Sequence, residues 1–145
     1  MATSTLIQFL SPGEAGDTSH RRQVETYIAA GTIAAGDVVA FDDGQTGADR
    51  ALYVEQAAIV ATGNGLAAGV ALNGASAGEQ VRVIVAGYAE GVSCAAGVAT
   101  GAVVNAAGTA AGQVEAAAAT DTAVFGVTVG PEGGGTVDLI VYKRF

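Results

Sequence analysis

The pentapeptide Gly74-Ala75-Ser76-Ala77-Gly78 has the Gly-x-Ser-x-Gly spacing of a nucleophile elbow, which would make Ser76 the attacking group of a hydrolase. That chemistry needs a sharp strand-to-helix turn at the serine and a histidine base later in the chain. The residues after Ser76 read as a strand, and the single histidine, His20, lies upstream. A small-residue hairpin loop is the reading that fits. Gly63-x-Gly65-x-x-Ala68 echoes a dinucleotide fingerprint, but the fingerprint sets phosphate at a helix N-terminus, and Gly69-Val70-Ala71-Leu72 begins a strand instead. Asp42, Asp43 and Asp49 carry oxygen ligands suited to a hard cation, yet Gly44 falls where an EF-hand loop has its second carboxylate, so a solvated acidic turn is expected. His20 and Cys94 are too few for a zinc site, and alternation around Cys94 marks it as a small buried thiol. No catalytic, cofactor or metal site is expected.

The composition points the same way. Half of the residues are apolar, but Ala and Val dominate, aromatics make up 6 % and there are 22 glycines. Alanine buries little area and glycine loses the most backbone entropy on folding, so a lone chain should be thinly stabilised and should gain from subunit contacts. A net charge of −8 and a pI near 4.3 argue against nucleic acid as a partner. One cysteine cannot staple the chain internally, and no apolar run reaches the ~20 residues that span a bilayer. The expectation is a protein with no membrane partner, made in the cytoplasm of a cell and kept there or assembled into something larger.

The elements that would carry any site are short strands. Residues 1–20 read as an arm, with the apolar piece Leu6-Ile7-Gln8-Phe9-Leu10 ahead of a Pro/Gly loop. Residues 21–145 read as one β domain. Val24, Thr26 and Ile28 alternate with Glu25 and Tyr27 at the period of a strand, with a helix over residues 18–30 as the competitor. Val38 to Phe41, Ala51 to Val54 and Ala58 to Val60 read as further strands, and Ala116 to Ala119 as a single helical turn.

A repeat organises the whole. Gly69-Val70-Ala71-Leu72 leading to Val81-Arg82-Val83-Ile84-Val85 is matched by Gly126-Val127-Thr128-Val129 leading to Val137-Asp138-Leu139-Ile140-Val141. Ala34-Ala35-Gly36-Asp37-Val38-Val39 is likewise matched by Ala99-Thr100-Gly101-Ala102-Val103-Val104. Gly36 maps to Gly101 but Gly69 to Gly126, so the second copy has lost loop length around the acidic turn. Pseudo-repeats over about 30–90 and 94–145 imply an all-β fold, a compact sandwich or barrel with an extended N-terminal arm. Val38, Phe41, Val70, Leu72, Val83, Val85, Val127, Leu139 and Val141 are expected in its core.

The run from Ala30 to Phe41, with Gly69-Val70-Ala71-Leu72 and Ala77-Gly78-Glu79-Gln80-Val81-Arg82-Val83-Ile84-Val85-Ala86-Gly87-Tyr88-Ala89, resembles the small head decoration, or cement, proteins of tailed bacteriophages. That resemblance implies a structural, non-enzymatic virion protein on the outer surface of the capsid. It implies a small oligomer such as a homotrimer, bridging subunits of the major capsid protein and stabilising the shell. Leu6, Ile7, Phe9 and Leu10 would dock on the capsid or a neighbouring protomer, Arg21 and Arg22 would fix register, and Tyr27, Tyr142 and Phe145, with Tyr53 and Tyr88, are the aromatic interface candidates. A head fibre, or an adhesive or carbohydrate-binding β module, is the main alternative; a hydrolase using Ser76 is a weaker one.

Overall fold

In the computed structural model, which describes residues 22–142, the alternation that begins at Arg22 becomes β1 (Arg22–Ala29) rather than a helix. It is followed by β2 (Val38–Phe41), β3 (Tyr53–Gln56), β4 (Ala67–Ala71), β5 (Gln80–Ser93), β6 (Val103–Ala106), β7 (Val114–Ala116), β8 (Val124–Thr128) and β9 (Thr136–Val141). A 3-10 helix, Gly47–Ala51, is the only helical element among the described residues. The fold is all-β. Ala58 to Val60 lies outside the strands, and the stretch read as a helical turn instead contributes Ala116 to β7.

Pairing runs β1-β3-β2-β4-β5, and β5 returns to β1, so the first five strands close a ring. The ring is sealed by the parallel pairing of β1 with β3, at Ile28 with Tyr53 and Ala29 with Val54. The same order recurs as β5-β9-β8-β6-β7, and a parallel bridge between Cys94 and Val114 closes that ring too. Each closure has the same extra hydrogen bond, Ala30 N–H to Val54 O in the first and Ala95 N–H to Val114 O in the second. The register matches as well, including a bulge after Val39 in β2 and after Val104 in β6. The repeat is therefore two small barrels that share β5: its N-terminal half serves as the last strand of the first, its C-terminal half as the first strand of the second. Gly87, at φ 92°, lies where β5 passes from one ring to the other, and it pairs with both Arg22 and Val141.

The first barrel is filled by Tyr27, Ala29, Ile33, Val39, Val54, Ala68, Ala71, Val81, Val83 and Val85, with Phe41 packed against them. Tyr27 and Phe41 meet edge to face at 5.8 Å. In the second barrel Ala106 stands at the place of Phe41 and Phe125 at the place of Ala68, so the large side chain has moved from the second strand of the unit to the fourth. Phe125 is fully buried. Of the expected core residues, Val38, Val70, Val83, Val85, Leu139 and Val141 are buried, whereas Phe41, Leu72 and Val127 are half-buried.

Close approach of strands depends on one glycine in each copy. A Cβ at Gly69 would collide with the Ile84 carbonyl oxygen, and a Cβ at the matching Gly126 with the Ile140 carbonyl oxygen. Nothing lies within 4 Å of a Cβ built at Gly130. Gly126→Ala should therefore cost about 1–3 kcal/mol in urea unfolding, as overpacking does, while Gly130→Ala should stay within about 0.5 kcal/mol of the parent.

Candidate interaction surface

Where the barrels meet, Val38, Val70 and Ile84 of the first pack into one buried apolar cluster with the second, and backbone hydrogen bonds and one buried carboxylate fix the contact. Val60 N–H donates to Ala107 O, Asn64 N–H to Ala106 O, Gly112 N–H to Ala57 O and Val38 N–H to Gly112 O. Asp37, only 8 % exposed, accepts from Ala34 N–H at 2.9 Å and from Gln56 Nε2 at 3.1 Å. Ser93 on β5 points its hydroxyl at the other Asp37 oxygen, at 3.5 Å. This carboxylate ties β2, β3 and β5 together at the seam, a structural use of an acid that sequence reading had placed only in a turn.

The motifs weighed for catalysis take structural places. Ser76 sits on the exposed turn before β5; its N–H donates to Glu79 Oε2 at 2.7 Å, and a strand follows it. Gly63-Asn64-Gly65 turns into β4, with the Asn64 amide donating to Ala58 O. Cys94 is buried inside the second barrel, where burial, and then the nearby Glu132 carboxylate, push its thiol above the ordinary range. His20 lies outside the described residues.

The acidic turn borders a cleft of about 440 Å³ lined by Phe41, Asp42, Asp43, Arg50, Ala51 and Leu66. Oxygens of Asp42, Asp43 and Glu55 come within 4.8 Å of one another, whereas Asp49 belongs to the 3-10 helix instead. Asp42 is already employed by its own turn, accepting from Gly44 N–H at 2.9 Å and Gln45 Nε2 at 2.6 Å. Glu55 pairs across from Ala40 on β2. Partial burial, and then the charges of Asp42 and Asp43, raise its pKa above the usual carboxylate range.

Of the expected interface residues, Leu6, Ile7, Phe9, Leu10, Arg21 and Phe145 lie outside the described residues. Arg22 opens β1 and is half-exposed. Tyr27 is a correction: at 6 % exposure it fills the first barrel, its hydroxyl donating to Glu25 Oε2 at 2.8 Å, and it presents no surface to a partner. It was an interface candidate as an aromatic side chain, but ring closure wraps the sheet around it. Tyr53 and Tyr88 are half-buried and Tyr142 is exposed. Tyr88 donates its hydroxyl to Asp138 Oδ2 at 3.1 Å, and burial, then that carboxylate, raises its pKa. What sequence reading missed is that Val103 and Val129, both exposed, join Tyr142 on the outer face of the second barrel. The signal was present in the repeat, because Val103 aligns with a residue expected in the core, Val38. Among the described residues no helix is long and apolar enough to cross a membrane.

No protein-family model matches the sequence, and no curated protein is significantly similar to it. Among solved structures, the head fiber gp8.5 N base of bacteriophage phi29 is similar in fold, with a TM-score of 0.55 and 19 % sequence identity over 84 % of this chain and 95 % of that one. That likeness covers both barrels rather than a fragment of one.

Because the raised pKa of Glu55 means that the folded state holds its proton more tightly than the unfolded state, stability falls as pH rises from the ordinary glutamate range through the folded value. Glu55→Gln should raise the unfolding temperature at about pH 7, and thermal melts should show that gain shrinking towards about pH 4.

Proposed function

We propose that this chain is a structural protein of a bacteriophage head. What carries the reading is the fold likeness to a head fibre base, which extends over most of both chains. The composition supports it: two barrels built from small residues, an acidic surface, and no placement of Ser76 that suits a nucleophile elbow. A hydrolase is accordingly the weaker reading.

Within the head, two roles follow from different observations. The turn and hairpin motifs resemble decoration proteins, which favours a cement function on the outer capsid surface, bridging major capsid subunits as a small oligomer such as a homotrimer. The fold likeness favours the base of a head fibre. In either role, Leu6, Ile7, Phe9 and Leu10 are proposed to anchor the chain and Arg21 and Arg22 to set its register on the capsid protein. Several weak contacts of this kind, repeated around a symmetric oligomer, give avidity without strong single interactions.

Purified chain added to undecorated shells of the phage that encodes it should co-sediment with them to saturation. A cement protein should also raise the temperature at which filled heads release DNA, whereas a fibre base should bind and leave it unchanged. Failure to bind the shells would overturn both roles.

A further inference from the structure

The two barrels treat one and the same face differently. In the first, cross-strand neighbours form the row Val38, Val70, Ile84 and Val24, running over β2, β4, β5 and β1. In the second, the equivalent row is Val103, Val127, Ile140 and Tyr88, over β6, β8, β9 and β5. Val38, Val70 and Ile84 are 0 %, 1 % and 1 % exposed and belong to the same buried cluster as the second barrel's core, with Val24 and Leu72 packed against it. Val103 is 43 % exposed, and Val127, Ile140 and Tyr88 are partly exposed. Val129, which takes the place of Leu72 and lies across from Asp138, is 48 % exposed, and Tyr142, two residues beyond Ile140 at the other side of the row, is exposed as well.

The asymmetry reveals the kind of contact. An isologous contact uses the same patch on both partners, so covering one row would cover the other. Here one row is covered and its duplicate is open, so the barrel-to-barrel contact is heterologous, the row of one unit meeting a different surface of the next. The second barrel therefore presents an unused half of an interface whose complement this chain already makes once. The first barrel of another chain is built on the same plan as the unit that covers the row internally.

We propose that the row Val103, Val127, Ile140, extended by Val129 and Tyr142, seats the first barrel of a second copy of this chain, head to tail. Such a contact closes into a ring where the rotation from copy to copy completes a turn and runs on as an open filament where it does not, and the proposal commits to the ring. The proposal concerns self-association alone and stands or falls without a capsid.

The test is the mass of the full-length chain by sedimentation velocity over about a hundredfold range of concentration, with no shells present. The parent should be a discrete oligomer, and the double variant Val103→Glu/Val129→Glu should weaken association at least about tenfold in Kd while keeping the parent β-sheet circular dichroism. If the glutamates disturb the fold, the near-isosteric pair Val103→Thr/Val129→Thr is read in the same way. A monomeric parent, including one that binds shells through this row, would overturn the proposal, as would a double variant that associates normally. Val129→Cys protomers that form a disulfide with one another on oxidation would show an isologous contact and overturn it too.

Discussion

Everything in this fold hangs on β5 serving two rings at once. Its N-terminal half pairs with β1 and β4 while its C-terminal half pairs with β9, and the Cys94 bridge to Val114 follows directly after it. A strand with sheet neighbours on both sides leaves few unpaired amides for another chain to zip onto, and ring closure removes most of the remaining edges. That matters for a sequence so rich in Ala, Val and Gly, whose open strands would aggregate readily. The cost is that the two rings are joined through one continuous strand, so a break in β5 on either side of Gly87 would shorten the strand that completes one of them.

Much of this was legible in the sequence, and what was not has identifiable causes. Alternation placed β1, and the duplicated hairpins placed β4, β5, β8 and β9, because burial on one face writes a period of two into the residues. The correspondence of Gly36 with Gly101 and Gly69 with Gly126 also holds in the register of the ladders. Ring closure was not legible, because the parallel seams at Ile28 with Tyr53 and at Cys94 with Val114 join segments distant in sequence and leave no local mark. Val114–Ala116 was masked by the helix propensity of alanine, which tertiary pairing overrides. Val127 was misjudged because periodicity tells which residues share a face but not which face is enclosed, and Tyr27 because an aromatic side chain fills a core as readily as it marks a contact.

The same limit governs the surface. Motif reading looked for polar constellations and found Asp42, which its own turn employs, while the fold also uses two carboxylates no motif marked, Asp37 at the seam and Asp138 holding Tyr88 and the Gly91 N–H. The exposed apolar side chains of the second barrel stayed hidden because, in sequence, they look identical to their buried counterparts. Only the comparison of one copy with the other separates a valine that packs from a valine that waits. For a protein proposed to work by attachment, that surface is where specificity would reside.

The exchange of Phe41 and Ala68 for Ala106 and Phe125 has a bearing on how the chain finds its fold. Two similar units in one polypeptide can swap strands, β4 entering the ring meant for β8 or the reverse. With the bulky ring on opposite strands of the two units, either swap would bring together two alanines around a void or two phenylalanines in a space built for one. Duplication creates an ambiguity of pairing, and a pair of complementary size changes in the cores removes it, so that each hairpin recognises its own partner while the chain is still assembling.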